Sequence, residues 1–204
     1  MKRACKRATS LSRPSGLALT CLLCPLDAHA HLIASGLGPV YDGIVHFVLT
    51  PQDLLPAAAL ALFAGLRGKA HARRVIFALP LVWLIAGFIG TLTVALPPMP
   101  LAWLPLVAVG GIVAADLPLG LGVTSAIALV LGAFLGYANG AAMAQAGPGL
   151  RAVTGIASTV FVTTTLVAAS VAAWQSGWVR IAWRVAGSWI AATGLLLLGW
   201  SLVG

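Results

Sequence analysis

The sequence predicts an all-α membrane protein: a bundle of about six transmembrane helices behind a cleavable signal peptide. Three observations predict it. Sixty per cent of the 204 residues are hydrophobic and only 8% are charged, with a mean hydropathy of +1.03, whereas a soluble domain carries charge on roughly a quarter of its positions. Charge-free runs cover residues 75–115, 117–150, 152–179 and 185–204, and a bilayer-crossing helix needs about 20 mostly apolar residues. Finally, Lys2, Arg3, Lys6, Arg7 and Arg13 precede a short apolar segment, as in a signal-peptide n-region. Because these five residues supply much of the net charge of +8, that charge is not a nucleic-acid surface.

Residues 1–30 read as the signal peptide. The apolar region runs from Leu17 to Leu26, and Ala28-His29-Ala30 offers the small-x-small cleavage pattern after either alanine. An uncleaved first helix is the alternative. Cys5, Cys21 and Cys24 all precede the cleavage site, so the mature chain is expected to lack thiols and disulfides. Thr20 before Cys21 makes a poor lipoprotein signal.

Residues 31–204 then form a single transmembrane domain, with spans expected near 40–66, 75–96, 101–115, 119–145, 152–174 and 181–202. Gly, Pro and charge mark their boundaries at residues 67–74, 96–100, 116–118, 147–149 and 175–177. The third span, at about 15 residues, is short for a crossing. Arg67, Lys69, Arg73 and Arg74 lie between the first two spans, and Arg180 and Arg184 between the fifth and sixth. Basic short loops stay in the cytoplasm, so the expected orientation puts the mature N-terminus outside a bacterial-type inner (cytoplasmic) membrane, with His71 solvated in the first basic loop.

Four carboxylates serve the whole chain, and Asp42 and Asp53 fall in the first span with His46. Ionisable groups at membrane depth are costly and face a partner or water. Asp42 and His46, four residues apart, share a helix face, a spacing that suits a shared metal ion or proton. Capping of the helix by Asp42 is the alternative. Asp53, about 13 residues into the expected span, demands a polar partner. Pro51 and Pro56 leave its register to His46 open.

After cleavage, His31 joins a free amine in a nitrogen set suited to Cu(II) or Ni(II). In the fourth span Gly132, Gly136 and Gly140 form a ridge for close helix packing, with Tyr137 and Asn139 between them at the depth of Asp42 and His46. The Ser and Thr residues of the fifth span read as packing groups, and the seven tryptophans as interfacial anchors.

Two segments resemble the HupE/UreJ family of small membrane proteins. Gly43-Ile-Val-His46-Phe-Val-Leu-Thr-Pro-Gln-Asp53-Leu-Leu-Pro-Ala is similar to that family's first helix, which carries a glycine, a histidine and an Asp-His pair. Phe134-Leu-Gly136-Tyr-Ala138-Asn-Gly140 is similar to the Phe-His-Gly-x-Ala-His-Gly of its fourth helix. The resemblance implies about six helices after a signal peptide, and nickel or cobalt uptake for hydrogenase and urease. His46 and Asp53 are the positions that carry over as metal-related. Leu54, Leu135 and Asn139 stand where the family has histidines, and no glutamate follows the second motif.

The expectation is a transporter or accessory permease for a divalent transition metal (nickel, cobalt or copper), with His31, Asp42, His46, Asp53, Tyr137 and Asn139 as candidate ligands. The ion is cargo, with no cofactor held permanently. A membrane scaffold that keeps the fold after losing the site is the rival. The sequence carries no Gly-x-Ser-x-Gly or His-Glu-x-x-His motif, so an enzyme is not expected. The expected partners are the lipid bilayer, the metal ion, and a second copy or a metalloenzyme-maturation protein.

Overall fold

A computed structural model of the chain describes residues 35–93, 101–147, 149–174 and 176–203. The expected signal peptide, its cysteines, the cleavage motif and His31 lie outside the described residues. The described residues form helices with no strand: α1 (Pro39–Leu49), α2 (Pro51–Arg67), α3 (Lys69–Thr91), α4 (Trp103–Ala115), α5 (Leu121–Gln145), α6 (Gly149–Ala173) and α7 (Gly177–Val203).

Four helices, α3, α5, α6 and α7, are long and apolar enough to cross a membrane, and α1 with α2 passes the same test as a pair bent by 75°, a fifth candidate if the pair is one broken span and not a re-entrant loop. Among the described residues that makes four to five candidate spans against the six or so expected. The first expected span divides because Pro51 forces the residue before it out of the helical region. Thr50 is accordingly extended at φ −104 and ψ 93, and a new helix starts with Pro51 in its first turn, where its missing N–H is not needed. The third expected span is a 13-residue helix, α4, about 20 Å long.

The basic loop expected at residues 67–74 also shrinks to a one-residue hinge. Gly68, at φ 105, separates α2 from α3, and Lys69 to Arg74, all tolerable or good helix formers, continue as the opening of α3.

Small residues set the packing. α3 and α5 run parallel, with Gly132 against Leu79, Gly136 against Trp83 and Gly140 against Gly87. A methyl group at Gly140 would overlap the Gly87 carbonyl, so the ridge read in the sequence seats α5 on α3. α4 and α7 pair antiparallel, Val113 against Gly187 and Val107 against Gly194. At the other side of the molecule α1 crosses the start of α6 so closely that a methyl on Gly43 would strike the Ala152 carbonyl.

One tryptophan departs from expectation. Trp83, expected at an interface, is fully buried and packs edge-on against Phe47, 5.8 Å between ring centres. The α6 hydroxyls turn back onto their own helix: Thr154 on Arg151 O, Ser158 on Thr154 O, Thr159 on Gly155 O and Thr164 on Val160 O. None of those bonds crosses to another helix.

A cluster at the break in the first crossing

The break at Thr50 creates two helix ends inside the bundle. His46 lies in the last turn of α1 and Asp53 in the first turn of α2. These are the ends at which the helix dipole favours positive and negative charge respectively. The Thr50 hydroxyl donates to the His46 carbonyl at 2.6 Å, and the Asp53 N–H bonds Thr50 O at 3.0 Å. A backbone carbonyl freed by the break thereby gains a partner.

The bend settles the register that the prolines left open. In one straight helix, seven residues would separate His46 and Asp53 by about 10 Å along the axis. In the broken arrangement His46 Nε2 stands 3.9 Å from Asp53 Oδ2. That distance exceeds a hydrogen bond, yet two metal–ligand bonds of about 2.0–2.2 Å would span it. Asp53 is 6% exposed, and its position at a helix start supplies the structural reason that a residue deep in a continuous span would lack.

Asn139 of α5 completes the group. It is buried, and its side chain is the polar neighbour of both His46 and Asp53. Its Nδ2 donates to Leu135 O at 2.8 Å, while its Oδ1 is buried without a hydrogen-bond partner. An amide oxygen beside an imidazole and a carboxylate is one more donor atom that a cation could use. Asn139 sits six residues, about 9 Å, inside the end of α5. Phe47, next to His46 in the chain, and Trp83, whose backbone meets Gly136 of α5, are both fully buried.

The remaining candidates fall elsewhere. Asp42 accepts from the Ser35 N–H at 2.6 Å and the Ser35 hydroxyl at 2.7 Å, so its carboxylate fastens the chain leading into α1, and no side chain caps the start of that helix. Tyr137, two residues from Asn139, is about 200° around the helix, and its backbone packs against Gly90 of α3. Among the described residues no group of three or more His, Cys, Asp or Glu side chains comes together.

A second cluster escaped the sequence reading. Asp116, in the left-handed conformation at φ 51 after α4, accepts from Arg67 with both its carbonyl and Oδ1. Its Oδ2 accepts from Arg180 Nε at 3.0 Å and Nη2 at 2.7 Å. Arg184 Nε caps the Ala114 carbonyl at 3.0 Å. The clamp joins α2, α4 and α7 at the end of the bundle away from Asn139, and the sequence signal was one acid facing basic boundaries on the same expected side. His71, expected in solvent, has its Nε2 buried.

No curated protein and no solved structure matches the chain. The model of the family described as HupE / UreJ protein matches residues 18–197, a region that contains the broken first crossing, the glycine ridge and Asn139. The chain therefore belongs to the HupE/UreJ family, which is associated with nickel or cobalt uptake or metalloenzyme maturation.

Proposed function

We propose that this protein carries a divalent transition metal, nickel or cobalt by family and copper by ligand chemistry, across a bacterial inner membrane. His46, Asp53 and Asn139 form the transit site. The observation that carries the reading is the convergence of an imidazole, a carboxylate and an unpartnered amide oxygen at a helix break. Broken helices place such ends around substrate sites at membrane depth, and irregular backbone there is tolerated where it lines a cavity or is buried in protein.

The orientation is part of the proposal. Six of the seven described basic residues (Arg67, Lys69, Arg73, Arg74, Arg180 and Arg184) belong to the same end of the bundle, and Arg151 to the other. A basic end favours the cytoplasm, which sets the His46 cluster in the outer half and the mature N-terminus outside. His31 and Asp42 would then meet the ion first, and Tyr137 would take no direct part beyond the backbone it lends to packing. No enzymatic step is part of the reading.

In vesicles containing the purified chain, uptake of radioactive nickel or cobalt is expected to fall at least tenfold for His46→Ala and for Asp53→Asn. Unchanged uptake in both variants refutes the transit site. The scaffold reading has one observation in its favour: Leu54, Leu135 and Asn139 occupy histidine positions of the family motifs. A scaffold would take up no metal in any variant, yet would still fold.

A further inference from the structure

We propose a binding site for an anionic phospholipid on the outer face of α3, with Arg73 and Arg74 holding the phosphate and adjoining crevices holding one acyl chain. The basic residues at this end of the bundle divide into two sets. Arg67, Arg180 and Arg184 are spent on Asp116 and Ala114 O. Arg73 and Arg74, both exposed, have no hydrogen bond or ion pair among the described residues, and Asp116, the one described acid at this end, is already engaged.

Arg73 and Arg74 line a crevice of about 570 Å³ together with Phe77, Leu81 and Leu121. Phe77 and Leu81 also line the next crevice, about 430 Å³, which runs on past Leu84 to Phe161 of α6. The two crevices adjoin at Phe77 and Leu81, one walled by Leu121 of α5 and the other by α6, so apolar surface of α3 runs on from the cationic end. Arg74 to Leu84 spans ten residues, about 15 Å along α3, a length that accommodates most of an acyl chain. Phe77 and Phe161 meet across the second crevice at 6.1 Å between ring centres.

Charge complementarity selects the occupant. Guanidinium groups bind phosphate through paired N–H donors, and an anionic headgroup lets both arginines stay charged without a protein acid. A zwitterionic lipid brings its own ammonium and gains less. The site does not rest on the metal reading, since it uses the opposite face and end of α3.

The test is native mass spectrometry of the full chain released from micelles containing equal phosphatidylglycerol and phosphatidylcholine. The wild type is expected to retain phosphatidylglycerol at least fivefold over phosphatidylcholine, and Arg73→Gln/Arg74→Gln to lose that preference. Leu81→Trp, which fills the crevices and leaves the charges in place, is expected to cut retention of both lipids at least threefold. It remains decisive if the double variant fails to insert. Inorganic phosphate added in excess is expected not to displace the lipid. Equal retention of the two lipids by the wild type, or undiminished retention by Leu81→Trp, overturns the proposal.

Discussion

Arg67→Gln and Arg180→Gln remove the two sides of the same ion-pair cluster, and the structure predicts that they differ. Arg180 has half of its side chain exposed, 49%, while Arg67 and Asp116 have 16% each. An exposed pair is screened by solvent and salt and contributes about 0–1 kcal/mol, so Arg180→Gln is expected to cost at most about 1 kcal/mol. Arg67 does more. It donates to both the carbonyl and the carboxylate of Asp116, and its guanidinium lies 5.3 Å from the centre of the Phe63 ring.

Losing a charged hydrogen bond costs about 1.5–3 kcal/mol, and a partly desolvated cation–π contact adds about 0.5–2 kcal/mol. Arg67→Gln should therefore destabilise by roughly 2–5 kcal/mol. Reversible unfolding in mixed micelles, followed by tryptophan fluorescence at low and high salt, measures both variants. The Arg180 pair should weaken with salt and the Arg67 pair much less. Equal costs for the two substitutions, or a salt-sensitive Arg67, would refute the assignment of Arg67 as the buried side of the clamp.

Other outcomes follow from the packing. Trp83→Ala, which empties a fully buried site, should cost about 3–5 kcal/mol in the same unfolding assay, and Trp83→Phe distinctly less. Gly140→Leu should prevent a stable fold because its side chain meets the Gly87 backbone, whereas Gly122→Leu, with open space around it, should be tolerated; yield of monodisperse protein from micelles reads the difference. Pro51→Ala lowers the roughly 3 kcal/mol penalty that proline sets against a continuous helix. Metal uptake is expected to drop at least fivefold as His46 and Asp53 separate, and a variant with full uptake would show that the break is held by packing alone.

Most of the helical fold was legible because apolar length and Gly/Pro punctuation decide it. The α5 ridge of Gly132, Gly136 and Gly140 was readable for the same reason: small residues at one-turn spacing have one main use in a membrane helix. The break at Thr50 was only half legible. Pro51 and Pro56 announced a disturbance, yet Pro56 sits inside α2, and only the backbone distinguishes a proline that kinks from one that starts a helix.

That distinction decides the site. Asp42 and His46 looked like partners from their four-residue spacing, but the bend turns His46 toward Asp53, and Ser35 occupies Asp42. Asn139 was visible as a polar residue in a motif. Its convergence with the first crossing depends on how α1, α2 and α5 pack, which no local pattern encodes. The Arg67–Asp116–Arg180 clamp joins residues 49 and 64 positions apart, and for such long-range pairs the sequence offers charge and side of membrane, never contact.

The most direct measurement of the central claim is equilibrium dialysis of the purified full chain against nickel and cobalt. One ion per chain is predicted for the wild type, and at least a tenfold weaker association for His46→Ala/Asp53→Asn. No binding above background by the wild type, or equal binding by the double variant, would contradict a metal site at the break in the first crossing.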